Sequence, residues 1–428
     1  MAGEAVRRIL RSLSVCAWLL PPGAAVAVAD EPEQLGPAVR GMLALQQPGG
    51  LFEFDFDFVA GRGNGSGTTE VDQIRYIVRE ADLVYGLAKY FAATRDPALR
   101  APLAAAIAAL GAHSAAVRKP RLQAWIESSG ILTWLPFGRI TLARGLDRLG
   151  LLYGQGGDAR MLAFERYPDT VWAGGTAIAL LAEVTYAVAT GDQQFATLRA
   201  AWRDGLLLLR IPGAGFRGLL ASPDEDPLAD GEAWLALATL NRVAPAGMAA
   251  TLRDIDDYLM RRYSDAPSFH FFNWGMMAAA ARFAETGDRR FIDFVAAQAD
   301  IFLDPAAVMA DRAMAAGPDE NTCFYVEGLV AAARVLRADG DSHAELLARV
   351  RTRIDSEMAK NHALQLQSGQ SRIELGGGAY LWAPRAAGNA GAYLAGRYQP
   401  YTRVDLTGHC ISALTDLQSL DPPAVNGK

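Results

Sequence analysis

The chain has 428 residues, a net charge of −6 from 41 Lys and Arg against 47 Asp and Glu, and a content of 51% hydrophobic and 21% charged residues. This is the composition of a packed globular protein and excludes a disordered one. With a negative balance and no long basic run, nucleic acid and anionic membrane surfaces are poor partners, whereas a neutral or weakly charged polymer fits.

In chain order the first element reads as an export signal. Arg7, Arg8 and Arg11 form a positive start, an apolar stretch broken by Pro21 and Pro22 runs from Leu13 to about Val28, and Ala27-Val28-Ala29 is an A-x-A cleavage site. Residues 1–29 are therefore expected to be a signal peptide, 30–420 the mature domain and 421–428 a disordered tail. The alternative is a membrane anchor, for which the stretch is short and proline-broken; no second stretch reads as long and apolar enough to cross a bilayer. The expected location is periplasmic or secreted, with no membrane span after signal cleavage.

Helical periodicity then predicts twelve helices, at roughly 34–46, 70–92, 96–116, 173–189, 192–209, 230–242, 247–263, 272–286, 288–303, 319–337, 341–360 and 404–419. They alternate in type. One type is rich in Ala, Gly and aromatics, as in Gly174-Gly175-Thr176-Ala177-Ile178-Ala179 and Glu232-Ala233-Trp234-Leu235; a helix apolar on most sides is an inner helix. The other carries one charged face, as in Leu252-Arg253-Asp254-Ile255-Asp256-Asp257, and is an outer helix. Thr94-Arg95-Asp96, Thr190-Gly191-Asp192 and Thr286-Gly287-Asp288 join inner to outer helices, with a Gly suited to positive φ and an Asp suited to cap the next helix. The intervals 190 − 94 and 286 − 190 are both 96 residues, a hairpin period of about 48.

Six inner and six outer helices close into a ring, with an open solenoid as the alternative. Hairpins of this kind with T-G-D turns resemble the α/α toroid superfamily, which includes six-hairpin glycosidases, uronyl epimerases, and the terpenoid cyclase and prenyltransferase toroids. Leu45-Gln46-Gln47-Pro48-Gly49-Gly50-Leu51-Phe52 is similar to the Q-x-x-D-G-x-F turn of the cyclase branch, with Gly49 where an Asp is usual. The resemblance implies an all-α (α/α)6 toroid and carries no particular reaction. Two regions stand outside the repeat: 117–170, expected to be a small β-rich insertion, and the Gly- and Tyr-rich loop 366–402, a candidate wall or lid.

In such a ring the inner helices begin at one mouth, where polar residues of this chain collect. Asp72 and Arg75 begin the first inner helix, Trp172 precedes the second, Glu232 and Trp234 begin the third, His270 and Trp274 the fourth, and Arg403 and Asp405 the sixth. Acids at helix starts also serve as caps, but acids mixed with Trp, His and Arg suit a sugar cleft, in which rings stack on C–H faces and carboxylates take hydroxyls. Asp405 and His409 are four apart on one helix face, so the carboxylate is placed to fix an acid/base imidazole; a structurally bonded core histidine is the plainer alternative. Glu327, inside an apolar inner helix, must be paired, for instance with Arg75 or Arg79, or have a raised pKa. Phe52-Glu53-Phe54-Asp55-Phe56-Asp57-Phe58 alternates as a strand with an acidic face, either solvated or suited to Ca²⁺.

Cys16 leaves with the signal, and Cys323 and Cys410 lack C-x-x-C spacing; in an oxidising compartment they pair, or remain two buried thiols. G-x-S-x-G, H-E-x-x-H, Walker and dinucleotide motifs are absent from the sequence, and neither cofactor nor metal is expected. The functional expectation is an exported carbohydrate-active enzyme acting on an oligo- or polysaccharide in the ring's cavity. Hydrolysis would use Glu327 as acid with Asp72 or Glu232 opposite. Uronic acid epimerisation or elimination would use His409 as base, with Arg75 or Arg403 against the sugar carboxylate. Trp172, Trp234, His270 and Trp274 would bind substrate. The alternative from another class is a non-catalytic periplasmic binding or assembly protein of an envelope or export system; a weaker third is modification of a peptide or isoprenoid.

Overall fold

A computed structural model describes residues 35–52, 55–63, 70–120, 153–163, 171–220, 222, 224–245, 247–304 and 319–420. The expected signal and tail lie outside the described residues. Among the described residues there are twelve α-helices: α1 (Leu35–Ala44), α2 (Glu70–Thr94), α3 (Arg100–Ala112), α4 (Ala173–Thr190), α5 (Ala196–Leu209), α6 (Pro227–Val243), α7 (Ala249–Asp265), α8 (Phe269–Thr286), α9 (Arg290–Leu303), α10 (Cys323–Ala338), α11 (Ala344–Ala363) and α12 (Val404–Leu420). The even-numbered helices pack side by side in chain order, and α12 returns to pack on α2. The odd-numbered helices lie outside them: α3, α5, α7, α9 and α11 each pack on the inner helix that precedes them, and α1 packs on α12. The fold is thus a closed (α/α)6 toroid rather than an open solenoid.

The turn from inner to outer helix within a hairpin is one hydrogen-bond network used three times. Thr94, Thr190 and Thr286 each donate through Oγ1 to the carbonyl four residues back, at 2.9, 2.8 and 2.8 Å. The backbone N–H of Asp96, Asp192 and Asp288 donates to that same Oγ1. Each Asp then accepts from the N–H two residues on, at 2.9, 2.9 and 3.0 Å, opening the outer segment. The residue between has φ of +73° at Gly191 and +67° at Gly287, while in the first copy Arg95 holds +59°. Arg95 carries a Cβ in a region that L-residues avoid; its guanidinium donates to the Ala189 carbonyl near the end of α4.

Small residues let the inner helices approach closely. A Cβ on Gly86 of α2 would sit 2.4 Å from the Gly408 carbonyl oxygen of α12, and one on Gly408 would sit 2.7 Å from Leu83 Cα. The ring's closing seam is therefore backbone on backbone. At the neighbouring seam Cys323 and Cys410, both fully buried, form a disulfide between α10 and α12 with Cα atoms 4.8 Å apart. Helix α4 is itself long and apolar enough to cross a membrane, contrary to the sequence expectation, because an inner helix surrounded by other helices has the same composition.

Among the described residues, eight short strands decorate the ring. β1 (Asp55–Asp57), β2 (Arg62–Gly63), β7 (Leu394–Gly396) and β8 (Gln399–Arg403) form an antiparallel sheet in the order β2-β1-β8-β7, with Asp55 opposite Arg403. β8 runs directly into α12, so this sheet sits where inner helices begin. β3 (Ser114–Pro120) and β4 (Tyr153–Leu162) pair as the two arms of the expected insertion, and β5 (Arg372–Gly376) and β6 (Ala379–Trp382) form a hairpin within the long loop. Phe52 and Phe58 are buried as the alternation predicts. On the opposite face Asp57 accepts from the N–H groups of Val59 and Ala60, which makes it a turn cap; Glu53 and Phe54 lie outside the described residues.

Candidate active site

Where the ring closes, polar residues form a stripe along each of two apolar helices. α2 presents Arg79, Asp82, Tyr85 and Lys89, and α12 presents Asp405, His409, Ser412 and Asp416. Neighbours in each stripe are three or four residues apart and so share a face. The stripes meet like rungs. Arg79 Nε lies 3.9 Å from Asp405 Oδ2 at one end, and Lys89 Nζ donates to Ser412 Oγ at 2.6 Å and Asp416 Oδ2 at 2.5 Å at the other.

Three pairs of carboxylate and cation neutralise much of this cluster. Arg403 grips Asp405 with two hydrogen bonds, 3.0 and 2.8 Å long. Burial would raise the Asp405 carboxyl, but Arg403, Arg79 and His409 outweigh it and hold the group below its usual range. Burial likewise opposes the charges of Lys89 and Asp416, and each nevertheless favours its charged form because of the other. His409 donates through Nδ1 to Glu327 Oε2 at 2.7 Å. Burial works against the imidazolium, yet Glu327, Asp82 and Asp405 raise its pKa to about 9. Asn273 Nδ2 donates to the same Glu327 oxygen at 3.4 Å, and the Trp274 ring lies 6.0 Å from the imidazole.

Two further carboxyls behave differently. Burial pushes Asp82 up to about 7, against the pull of His409, with Asp405 and Glu327 adding repulsion. Burial raises Glu232 of α6 well above its usual value, and the charge of Asp82 adds to the effect. Glu232 packs so tightly on α4 that a Cβ on Gly174 would meet its Oε2. The site grades from wet to dry: side-chain exposure is 25% at Arg403 and 15% at His409, but 1% at Glu327. Glu232 is buried, whereas Asp82 is half-buried with its Oδ1 turned away from solvent.

The structure brings Glu327, Glu232, Asp405, His409, Arg403 and Trp274 into one neighbourhood. It differs in who pairs with whom: the carboxylate bonded to His409 is Glu327, not Asp405, because Arg403 holds Asp405. Glu327 is paired as expected, with an imidazolium in place of an arginine. Trp234 is not a cavity residue. It is fully buried, donates through Nε1 to Asp256 of outer helix α7 at 2.7 Å and stacks on Phe271, so it faces between the two helix layers. His270 is half-buried in the first turn of α8, and Trp172, half-buried, precedes α4 with its backbone bridged to Leu219. The side chains of Asp72 and Arg75 lie outside the described residues. Sequence reasoning missed Asp82, Tyr85, Lys89 and Asp416; their signal was the three-and-four spacing of polar groups within otherwise apolar helices.

No protein-family model matches the chain, and no curated protein matches it in sequence. Solved structures do resemble it. One is an α-1,6-mannanase of glycoside hydrolase family 76 from Salegentibacter sp. HEL1_6, an inactive variant with two consecutive aspartates replaced, in complex with α-1,6-mannotriose; it is 10% identical, with 91% of this chain and 99% of that chain covered and a TM-score of 0.53. Another is a family 76 mannosidase from Bacteroides thetaiotaomicron VPI-5482, 10% identical, covering 90% and 98% with a TM-score of 0.54. The chain has the (α/α)6 toroid fold of these glycoside hydrolases. The match spans nearly the whole of each neighbour, so the shared architecture is the complete ring rather than a local stack of hairpins.

Proposed function

We propose that the protein is an exported glycoside hydrolase that cleaves a neutral oligo- or polysaccharide in the hollow of the ring. The observation that carries this is Asp82: a half-buried carboxyl with a pKa of about 7, within electrostatic reach of Glu327, Glu232 and Asp405. A carboxyl still partly protonated at neutral pH is what a general acid requires. In this scheme Asp82 donates its proton to the glycosidic oxygen as the bond to the anomeric carbon breaks. Glu327, oriented by His409 and Asn273, acts as base: it takes a proton from the water that attacks the anomeric carbon, and the water oxygen becomes the hydroxyl of the new reducing end. Trp274 offers an aromatic wall beside His409. The family 76 neighbours, which act on α-1,6-mannan or carry α-1,6-mannooligosaccharides, support a neutral glycan. A uronic acid substrate is less well served, because Arg403 and Arg79 are both directed at Asp405. The disulfide and the sequence of residues 1–29 support a periplasmic or secreted location.

One observation favours a non-catalytic glycan-binding protein instead. The neighbour inactivated by replacing two consecutive aspartates invites comparison, and the single pair of consecutive aspartates in this sequence is Asp256-Asp257. These lie on outer helix α7, with Asp256 bound by Arg282 at 2.7 Å and Asp257 by Arg290 at 2.8 Å. The two readings separate in a reducing-end assay on α-1,6-mannotetraose and a panel of neutral glycans. Hydrolysis is expected, with kcat/KM falling as pH rises through about 7, and Asp82→Asn and Glu327→Gln each lowering kcat by about 10²–10⁴ while the fold persists. Binding without turnover in the wild type would establish the second reading, and full activity in both variants would remove these residues from the mechanism.

A further inference from the structure

The β5–β6 hairpin exposes an aromatic face for which the ring chemistry has no use. Residues Arg372 and Trp382 are directly opposite each other across the two strands, as are Glu374 and Tyr380. Side chains two apart on a strand share a face, so Arg372, Glu374, Tyr380 and Trp382 stand on one side. Ile373 and Leu381, on the other side, pack into the protein, Ile373 at 1% exposure. The outward aromatics are 56% exposed at Tyr380 and 63% at Trp382, and Tyr398 in the following β7–β8 turn is 66% exposed. These three are the only strongly exposed aromatic rings among the described residues, and all fall within one loop.

Large aromatics left in water without a reason cost solubility and invite aggregation; here they are held in position. The Arg372 guanidinium lies 5.3 Å from the centre of the Tyr380 ring, and a Cβ on Gly376 would sit 3.0 Å from the Tyr398 hydroxyl, so that phenol rests against the hairpin's turn. Resting on the proposal above that the ring acts on a neutral glycan, we infer that this face is a second glycan-binding site, a surface platform that holds a polysaccharide chain outside the ring. Rings about 6.8 Å apart along β6 present two stacking planes in succession. Arg372 supplies donors and Glu374 acceptors for hydroxyls, and their charges cancel, matching a neutral chain better than an acidic one. The alternation of ring and charge also differs from the apolar core of a self-association interface. The platform is continuous with the mouth: the same loop continues through β8, whose last residue is Arg403, and Gln399 on β8 donates to Glu320 just before α10 at 3.0 Å.

Affinity electrophoresis of the full chain tests this, in gels containing α-1,6-mannan, a neutral β-glucan or polygalacturonate. The double variant Tyr380→Ala, Trp382→Ala removes only exposed rings. Wild-type protein is expected to be retarded by a neutral polymer, and the double variant to bind it at least tenfold more weakly, with turnover of α-1,6-mannotetraose unchanged. Equal retardation of the two proteins on a polymer that retards wild type overturns the platform and leaves the ring assignment standing. Turnover of the short oligosaccharide with no retardation of wild type by any polymer also overturns it. A fall in sedimentation coefficient of the variant, without loss of glycan retention, assigns the face to a second copy of the chain. Retention only on polygalacturonate overturns the neutral-chain assignment. Failure of the ring reading is read separately, from absent oligosaccharide turnover and binding in wild type.

Discussion

Replacing Cys323 and Cys410 together by Ala tests how much of the ring's stability rests on one bond. The disulfide joins two inner helices across a sequence separation of 87. Closing a loop of that length in the unfolded chain removes about 4.6 kcal/mol of chain entropy in the standard treatment, with 2–4 kcal/mol the usual measured range. For a domain of roughly 390 residues, an unfolding entropy of about 0.8 kcal/mol/K turns this into a melting point lowered by about 3–6 °C. Both cysteines are fully buried among close-packed helices, so the double replacement leaves no free thiol to mispair and only a small cavity. Calorimetry on the wild type, the double variant and the reduced wild type reads the effect directly, with the last two expected to melt together. A shift under 1 °C, or alkylation of both thiols in unreduced native protein, would refute the reasoning.

Two further predictions concern the seam and the buried pair. Gly86→Ala drives a methyl to within 2.4 Å of the Gly408 carbonyl oxygen, so α2 and α12 must separate; a loss of about 1–3 kcal/mol is expected in urea unfolding, and wild-type stability would show that the seam is loosely packed. His409 has its folded pKa raised from 6.5 to about 9, so the stability it contributes is complete below pH 6.5 and is lost as pH rises through 9. Over that window wild type is expected to lose about 3 kcal/mol relative to His409→Gln; parallel pH–stability curves would exclude a charged His409–Glu327 pair.

Much of the architecture was legible because its signals are local. The T-G-D joints repeat at 96 residues because each is a self-contained network of one Thr, one Asp and a positive φ. Arg95 shows the limit of that code, since the network survives with the unfavoured residue in its middle. The site was less legible. An inner helix is covered on its outward side as well as lining the ring, and apolar periodicity alone does not say which Trp faces which way; Trp234 went to the layer between helices and Trp274 toward His409. Asp82 lies three turns into α2, away from the helix starts where polar residues collect, and its meaning depends on α12 more than 320 residues later. Partner choice was hidden too, since Arg403 takes Asp405 and Glu327 takes the imidazole that spacing had given to Asp405.

The closing seam has a consequence for biogenesis. The first inner helix keeps an uncovered flank until α12 has been made, because α2 and α12 close the ring on each other. Five hairpins can stack as they emerge, but the final joint waits for the C-terminal segment, and so does the Cys323–Cys410 bond, whose second thiol lies on that segment. A ring of this design stays open, and its two cysteines apart, until α12 is in place.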